Sequence, residues 1–285
     1  MKNLSARTQG LIAINFAAVI FGSAALYGKL DLSPFWIVAM RGAFAAVAVA
    51  MLRFYKKDAT PSAPRQWRIA VGSGLILAIH WLLFFASVQM AGVAVATLSF
   101  AAFPFFTVLI EAFHQKRAPH LAAIAAALAI VVAVGLLVHP EGGQGNIVGI
   151  AAGLGAALTF ACFGYASKLL GKNLSPLGIS FAQNATVALS LAPFLFFVGH
   201  VPSGMDWFWL AMLGLFTTAF MHQVYFYALR RLSASVCSGF VALEPVYAIL
   251  FAAALFHAPI TPQIVLSVVL IVGASLALLR LEPPS

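Results

Sequence analysis

Residues 82–104 read LLFFASVQMAGVAVATLSFAAFP, and residues 223–245 read QVYFYALRRLSASVCSGFVALEP. The two stretches align position by position without a gap, and each ends in a proline, Pro104 in the first and Pro245 in the second. Self-similarity at a fixed offset is the sequence signature of a duplicated structural unit. The alignment therefore predicts that the fold contains two copies of one unit.

Other residue pairs outside these stretches recur with nearly the same spacing as the two prolines. Ser33-Pro34 recurs as Ser175-Pro176, and Ala118-Pro119 recurs as Ala258-Pro259. The self-similarity thus extends over much of the chain. We expect one copy of the unit in residues 1–140 and the second copy in residues 141–285.

The composition places both copies in a membrane. Of the 285 residues, 63% are hydrophobic and 8% are charged, whereas soluble domains carry about 25% charged residues. The net charge of +9 does not indicate nucleic-acid binding, because the cationic residues lie in short segments between apolar runs. Cys162 and Cys237 lie inside apolar runs. We interpret both as small core residues and expect no disulfide, no metal site and no cofactor.

Ten apolar segments are long enough to cross a bilayer as helices, for which about 20 residues are needed. They span residues 11–30, 34–52, 69–90, 93–113, 120–138, 147–170, 176–198, 207–229, 235–256 and 262–280. Fourteen of the sixteen lysines and arginines lie on one side of these segments, while Lys29 lies on the other side and Arg41 lies inside a segment. Because lysine and arginine accumulate in cytoplasmic loops, we expect a multi-pass protein of the bacterial inner membrane with both termini in the cytoplasm.

Five segments in each copy is an odd number, so the second copy enters the membrane from the opposite side. Inverted repeats of this kind recur in secondary transporters, where the substrate site lies at the repeat interface. The predicted fold class is an all-α integral membrane protein of ten transmembrane helices, built as two inverted five-helix repeats around a central cavity. The alternative is that the duplication only builds a stable helix bundle.

Ionisable side chains inside the spans are costly in lipid and are therefore candidates for function. Arg41 lies in the second span, His80 in the third, His222 in the eighth and Glu244 in the ninth. For each histidine, a hydrogen bond between helices is an equal alternative. Arg41 is interpreted as making an ion pair or carbonyl contacts near one gate.

Aromatic and hydrogen-bonding residues recur on single helix faces around these positions. Ser73, His80 and Ser87 repeat every seven residues in the third span, which places them on one face of a helix. The candidate lining of a central pocket consists of Asn15, His80, Trp81, Phe84, Phe163, Tyr165, His222, Tyr225 and Glu244. Such a pocket suits a small amphipathic solute better than an inorganic ion. The alternative for the aromatic residues is packing between helices.

Pro104 and Pro245 fall at matching positions in the fourth and ninth spans. Proline removes a backbone donor and frees a carbonyl one turn earlier, so we expect a kink in both spans. Kinks at the same depth would serve as hinges of a gate, with Arg41 as a third gate residue; equally, they only shape the bundle. The residues before the prolines do not match, since Phe103 takes the place of Glu244.

Over essentially its whole length, the sequence resembles members of the EamA branch of the drug/metabolite transporter superfamily. FGSAALYGKLDLSP at residues 21–34, followed by MRG at residues 40–42, resembles the first two helices of that family. YFYALRRLSASVCSGFVALEPVYAILFA at residues 225–252 resembles its eighth and ninth helices. Many members carry Gly-Glu beyond the two prolines, at the places where this chain has Lys116 and His257.

Within this branch, the aromatic lining with few charges is most similar to the bacterial aromatic amino-acid exporters, the YddG group. The resemblance implies export of aromatic and neutral amino acids by alternating access, with amino acids and the lipid bilayer as partners and no obligate protein partner. Proton coupling through Glu244 or His80 and uncoupled export both stay open. A second hypothesis is efflux of cationic drugs or other small metabolites, with Glu244 as the counter-charge.

Other classes of function have less support in the sequence. The chain lacks the phosphate-binding loop of ATP-driven pumps, and it lacks the zinc-protease and Ser/His/Asp patterns of hydrolases. We therefore expect a carrier and not an enzyme. A scaffold or a channel is the remaining alternative, and a carrier is distinguished from both by saturable, exchange-stimulated flux.

Overall fold

Helices account for the secondary structure of this computed structural model, which describes residues 4–58, 64–116, 118–119, 121–135, 147–170, 174–257 and 260–280. Within these residues there is no β-strand. The helices are α1 (Ala6–Ala24), α2 (Pro34–Tyr55), α3 (Pro64–Phe100), α4 (Phe103–Gln115), α5 (Leu121–Gly135), α6 (Ile147–Leu170), α7 (Pro176–Leu191), α8 (Met205–Gly214), α9 (Met221–Leu229), α10 (Ala234–Val241), α11 (Glu244–Phe256) and α12 (Pro262–Arg280). Tighter helical turns extend α1 over Ala25–Lys29 and α7 over Ala192–Phe197, and a π-helix over Leu215–Phe220 joins α8 to α9.

Six helical stretches are long and apolar enough to cross a membrane. They are Ala6–Lys29, Pro34–Tyr55, Pro64–Phe100, Ile147–Leu170, Pro176–Phe197 and Val236–Phe256, and two shorter apolar helices cover Leu121–Ala133 and Pro262–Ala274. The ten predicted spans do not each correspond to one continuous helix. The fourth expected span divides between the end of α3 and α4, the eighth between α8 and α9, and the ninth between α10 and α11.

The division within α3 lies at a glycine. Gly92 has φ 82° and ψ 165° and separates residues 64–91 from residues 93–100. This backbone region is open almost only to glycine, because a Cβ would clash with the neighbouring carbonyl groups. Gly92 therefore sets the turn between the third and fourth expected spans.

The two prolines begin new helices where kinks were expected. Pro104 is the second residue of α4 and Pro245 is the second residue of α11, and the residues before these helices, Ala102 and Leu243, have almost the same conformation (φ −70°, ψ −10° and φ −77°, ψ −9°). Proline suits the first turn of a helix because backbone donors there have no partner within the helix. In the turn before Pro245, the carbonyl of Phe240 accepts from the Leu243 N–H at 3.0 Å.

The ends of these two helices match as well. Lys116 closes α4 with φ 51° and ψ 40°, and His257 closes α11 with φ 54° and ψ 33°. Both are left-handed residues, which commonly end helices but are uncommon outside glycine and asparagine. Aligned residues of the two halves therefore have the same backbone conformation at the start and at the end of α4 and α11. The expected boundary between the two copies, at residues 140 and 141, lies outside the described residues.

Two further interactions occur once in each half of the chain. Ser33 and Ser175 cap α2 and α7, and their hydroxyls accept from the N–H of Phe35 and Gly178, respectively. Beside these caps, the side-chain amide of Gln89 donates to the Leu32 carbonyl at 2.8 Å, and the guanidinium of Arg230 donates to the Leu174 carbonyl at 2.6 Å. Gln89 and Arg230 occupy aligned positions of the two stretches quoted at the outset.

Helices α3 and α6 share an extensive and closely packed interface, to which α6 contributes many small residues. A Cβ on Gly149 would lie 2.8 Å from the Ala91 Cβ, and one on Gly153 would lie 2.6 Å from the Ser99 Cβ, so only glycine permits this approach. Ser87 donates to the Gly149 carbonyl at 2.6 Å. The run of small residues GIAAGLGAAL (residues 149–158) therefore lets α6 pack closely against α3.

Several other helix pairs join the two halves of the chain. Helix α2 packs against α7, α5 against α12, α4 against α10, and α1 against both α9 and α11. Helices α5 and α12 are also joined by a hydrogen bond of 2.7 Å from the hydroxyl of Ser267 to the carbonyl of Ala133. A central space remains between α1, α2, α3, α6, α9 and α11.

Candidate functional site

A small cavity occupies this central space. It is lined by Phe21 and Ala24 of α1, Arg41 of α2, His80, Trp81, Phe84 and Phe100 of α3, Phe160 of α6, His222 of α9 and Glu244 of α11. About 30 Å³ is open to the centre of a water molecule, which is room for on the order of two waters. The cavity is therefore contracted, since pockets for small organic ligands are several times larger.

Arg41 is held rigidly in the cavity wall. Its Nε donates to the Thr218 hydroxyl at 2.7 Å, and its guanidinium carbon lies 3.9 Å from the ring centre of Trp81. The side chain is 3% exposed. Its two terminal nitrogens form no hydrogen bond within the described residues. Among the described residues, Arg41 forms neither of the expected contacts, an ion pair or a bond to a carbonyl group. Its role as a gate residue stays a prediction.

The π-helix explains how Thr218 reaches Arg41. The extra residue in its turn lets the Thr218 hydroxyl donate to the Leu213 carbonyl, five residues earlier, at 2.8 Å while it accepts from Arg41. At the start of this segment, a Cβ on Gly214 would lie 2.6 Å from the Phe44 Cβ. Helix α2 therefore approaches the segment closely. Single π turns of this kind are frequent at functional sites.

Glu244 contributes the opposite charge to the same cavity. It is the first residue of α11 and 6% exposed, and a helix N-terminus favours a negative charge. In the described part of the chain, no hydrogen bond reaches its carboxyl group, and no ion pair joins it to Arg41. The cavity thus contains a guanidinium group and a carboxyl group that make no direct contact with each other, and a buried charge without a partner is costly.

Two histidines line the cavity, and they differ in whether Nδ1 has a hydrogen-bond partner. His80 Nδ1 lies 2.9 Å from the carbonyl of Ala156 on α6. A carbonyl only accepts, so Nδ1 must carry the hydrogen, and Nε2 of the neutral ring is an acceptor. His222 Nδ1 is buried and has no partner among the described residues. The ring of His222 lies 5.7 Å from that of Trp81, measured between centroids.

Aromatic rings fill the side of the cavity around His80. The centroid of the His80 ring lies 5.0 Å from Phe160, 5.3 Å from Phe100 and 6.2 Å from Phe84. None of these three phenyl rings carries a hydrogen-bonding group. This region is therefore apolar except for the imidazole, whereas Arg41 lies on the Trp81 side.

The expected site residues divide into three groups by position. His80, Trp81, Phe84, His222, Glu244 and Arg41 line the cavity. Phe163 and Tyr225 stand directly behind the lining, with Phe163 6.0 Å from His222 and Tyr225 6.2 Å from Phe21 between ring centroids. Pro104 and Pro245 lie in the first turns of α4 and α11.

Asn15 and Tyr165 were expected in the lining, but they are not among the residues that line this cavity. The side-chain amide of Asn15 donates to the Leu11 carbonyl of its own helix at 3.1 Å. The Tyr165 ring packs against His114, near the end of α4, at 5.3 Å. Ser73 and Ser87 also face neighbouring helices, since Ser73 accepts from the Gln183 amide at 2.9 Å. Helical spacing identified a shared face correctly. That face packs against α6 and α7, and at His80 it also borders the cavity.

Four lining residues were not expected: Phe21, Ala24, Phe100 and Phe160. A usable signal existed for Phe21, because Phe21-Gly22 recurs at the matching place in the second half as Phe163-Gly164. Both of these phenylalanines contact His222 in the structure. Phe100 and Phe160 lie among many phenylalanines and have no polar group, so the sequence does not distinguish them from packing residues.

The two ends of the helix bundle differ. At one end, a second cavity of about 670 Å³ is lined by Gly28, Lys29, Leu30, Asp31, Leu32, Ser33, Val88, Gln89 and His200. At the other end, Lys168 donates to the carbonyls of Leu229 and Leu232, and the Tyr227 hydroxyl bonds to the Gln9 side chain at 2.7 Å. The first end thus contains a cavity, and at the second end these hydrogen bonds join neighbouring helices.

Comparisons with known proteins agree with this architecture. The model of the EamA-like transporter family matches residues 8–139 and again residues 147–280. A protein of Bacillus subtilis (strain 168), described as the uncharacterized transporter YxxF, is 23% identical over 253 residues, which cover 85% of this chain and 80% of that protein. One solved crystal structure superposes with a TM-score of 0.77 at 20% identity, over 97% of this chain and 100% of that chain, and this likeness concerns the fold alone.

Proposed function

The chain belongs to the EamA-like transporter family, so it is a multi-pass membrane transporter and not an enzyme, and we propose that it exports aromatic and neutral amino acids by alternating access. The proposed path is the central cavity. The proposed location is the bacterial inner membrane, with both termini in the cytoplasm and no obligate protein partner. The observation that carries the proposal is the presence of Arg41 and Glu244 in one buried cavity without direct contact.

Several observations support two inverted repeats in residues 1–140 and 141–285. The family model matches the chain twice, once in each half. The α4 and α11 helices begin and end with the same backbone conformations at aligned positions. Two units of five spans each would be oppositely oriented, and such units give similar gates on the two membrane faces. Pro104 and Pro245 are proposed as the hinges of these gates.

The charge pattern of the cavity supports an amino acid as the substrate. A zwitterion carries a carboxylate, which matches the free donors of Arg41, and an ammonium group, which matches the carboxylate of Glu244. Bidentate binding of a carboxylate is the preferred geometry of arginine. One ligand would therefore compensate both buried charges at once, and a ligand with only one charge would leave the other unpaired. The aromatic rings around His80 supply an apolar region for the substrate side chain.

The contracted volume supports a gated carrier over an open channel. About 30 Å³ does not accommodate an amino acid, so the walls have to separate before the substrate enters. With the proposed orientation, the end closed by Lys168 and Tyr227 faces the cytoplasm, and the 670 Å³ cavity near Lys29 faces outward. Alternating access then requires the Lys168 and Tyr227 contacts to open when the outer end closes.

Efflux of cationic compounds is the second candidate, and Glu244 is the observation that favours it. A buried carboxylate attracts a cationic ligand by charge and desolvation. Arg41 lies in the same cavity and repels such a ligand. The two candidates therefore differ in whether Arg41 contributes to binding or opposes it.

Counterflow in proteoliposomes tests the proposal. Purified protein is reconstituted, the vesicles are loaded with unlabelled tryptophan, and uptake of labelled tryptophan is measured with competitors outside. We expect saturable, exchange-stimulated uptake that tryptophan and phenylalanine inhibit, while tryptamine, which lacks the carboxylate, and indole-3-propionate, which lacks the ammonium group, inhibit about tenfold less well or worse. Inhibition by organic cations but by no amino acid would contradict the proposal and favour cation efflux.

A charge-deleted variant adds a control to the same assay. Arg41→Gln keeps a polar side chain in the wall but removes the cation. It is expected to weaken inhibition by amino acids strongly and inhibition by tryptamine little, because only the amino acid uses the arginine. Gly72→Ala is the matched control, since its Cβ would meet no atom within 4 Å and Gly72 lines neither cavity.

A further inference from the structure

We infer that His80 selects among aromatic amino acids by accepting a hydrogen bond at Nε2 from an N–H or O–H group on the substrate ring. The preferred side chains are then indole and phenol, which carry such a group, over phenyl, which does not. This inference rests on the proposed function, since it concerns the ring of the amino acid that the cavity takes.

The first step is the fixed tautomer of His80. The carbonyl of Ala156 can only accept, so the hydrogen is on Nδ1 at the 2.9 Å contact. Two turns away in the same interface, Ser87 donates to the carbonyl of Gly149. His80 and Ser87 are seven residues apart on α3, and Gly149 and Ala156 are seven apart on α6. The two bonds together fix the register of the helices, and this register orients the imidazole.

The second step concerns the opposite edge of the ring. Nε2 forms no hydrogen bond with any residue that the structure describes, and the His80 side chain lines the cavity. Its aromatic neighbours Phe84, Phe100 and Phe160 have no donor to offer. The partner of this acceptor must therefore be water or the substrate. A buried polar group left unpaired is costly, so a substrate that displaces the water without donating a hydrogen bond binds less tightly.

The third step separates His80 from the other histidine. His222 has no partner at Nδ1 among the described residues, so neither nitrogen is fixed as donor or acceptor, and its ring rests on Trp81 beside Arg41. His222 can adapt to either kind of group and carries no fixed preference. The His80 region is thus the part of the cavity where a donor and a non-donor are distinguished.

Paired substrates test this inference in the counterflow assay. Tryptophan is compared with 1-methyltryptophan, and tyrosine with O-methyltyrosine; each methyl group removes the ring donor and leaves the zwitterion unchanged. In the unaltered protein we expect the donor-bearing member of each pair to compete about tenfold better. In His80→Phe the ratio is expected to fall to about one. The readout is the ratio within a pair, so a general loss of rate does not affect it.

A variant of a neighbouring ring is the matched control. Phe84→Leu removes an aromatic contact but leaves the acceptor, so both members of a pair are expected to weaken by the same factor and the tenfold ratio to persist. A ratio near one in the unaltered protein would overturn the inference even if His80→Phe does not fold. An undiminished ratio in His80→Phe would overturn it as well. Amino-acid transport without ring discrimination leaves the proposed function intact, whereas no transport of any amino acid removes both.

Discussion

The helix break before α4 and the helix break before α11 have the same backbone and different chemistry. In the first, Phe103 stacks on Phe100 with ring centroids 4.9 Å apart and packs edge-on against Phe160 at 5.0 Å. In the second, Glu244 takes the equivalent position and its carboxylate lines the cavity together with Arg41. The duplicated backbone builds the cavity, and the residue that differs gives it its charge.

This comparison separates two kinds of constraint on the chain. The conformations of Ala102 and Leu243, and of Lys116 and His257, are paired because both helices must begin and end at the same depth. The side chains at the first helical position, Phe103 and Glu244, are not paired. This difference fits the proposed amino-acid substrate, whose single ammonium group would require one carboxylate. Substitutions at the two breaks should therefore have unequal effects.

The largest effect is expected for Phe103→Glu, which introduces at the first helix break the carboxyl group that Glu244 has at the second. Phe103→Glu places a carboxylate at a site that is 1% exposed and surrounded by Phe100 and Phe160, so it should destabilise the fold by about 3 kcal/mol or more. The measurement is the thermal unfolding temperature in detergent. Phe103→Leu is the control and should cost only about 1 kcal/mol. An unfolding temperature of Phe103→Glu equal to that of the unaltered protein would mean that this region is hydrated and that the two breaks are chemically equivalent.

Removal of the charge at the second helix break should weaken substrate binding without lowering the stability of the fold. Glu244→Gln removes the proposed partner of the substrate ammonium group, while the amide still fits the first turn of α11. We expect the apparent affinity for tryptophan to fall about 30-fold, equivalent to about 2 kcal/mol, with the unfolding temperature unchanged or raised. Phe103→Leu, which alters a residue behind the lining and adds or removes no charge or hydrogen-bonding group, should change affinity by less than about twofold. Equal losses in the two variants would contradict the assignment of charge recognition to the second half.

A third substitution examines a place where the two halves use different backbones. Gly92 turns the first half at φ 82°, whereas Ser233 at the aligned position caps α10 and accepts from the Val236 N–H at 3.1 Å. Gly92→Ala should cost about 2 kcal/mol through backbone strain alone, because its Cβ would meet no atom within 4 Å. Gly72→Ala, with equally free surroundings in a regular helix, should be neutral or slightly stabilising. Similar unfolding temperatures for the two alanine variants would show that the turn is not strained.

The smallest effect is expected at Asn15. Its amide bonds only to a carbonyl of its own helix in the described residues, so Asn15→Ala should change both stability and affinity for tryptophan by less than about 0.5 kcal/mol. Tryptophan titrations of the reconstituted variant measure this directly. A loss comparable to that of Glu244→Gln would place Asn15 in the binding site after all.

Part of the fold follows from the sequence because it depends on local rules. Aligned prolines and serines mark where helices begin, and apolar runs mark the membrane-crossing helices. Whether Pro104 would kink a helix or begin a new one could not be predicted, since both outcomes satisfy the missing donor. The choice depends on how the preceding turn packs against the other half.

The candidate site was predictable to the extent that its residues are costly in lipid. Arg41, His80, His222 and Glu244 were identified because ionisable groups need a reason to be buried, and the structure places all four around one cavity. Asn15 does not line this cavity, because periodicity gives the face on which a residue lies but not what packs against that face. The tautomer of His80 depends on the distant carbonyl of Ala156, and no local pattern in the sequence contains it.

The most direct test of the account is whether the cavity is open to the two sides of the membrane in turn. Ala24 lines the cavity, and a cysteine introduced there, in a chain with Cys162 and Cys237 replaced by alanine, reports access of a membrane-impermeant thiol reagent. The account predicts labelling from either side when the reagent is added there, and slower labelling from both sides when tryptophan is present at saturating concentration. Labelling from one side only, or at a rate that tryptophan does not change, would contradict alternating access to an amino-acid site.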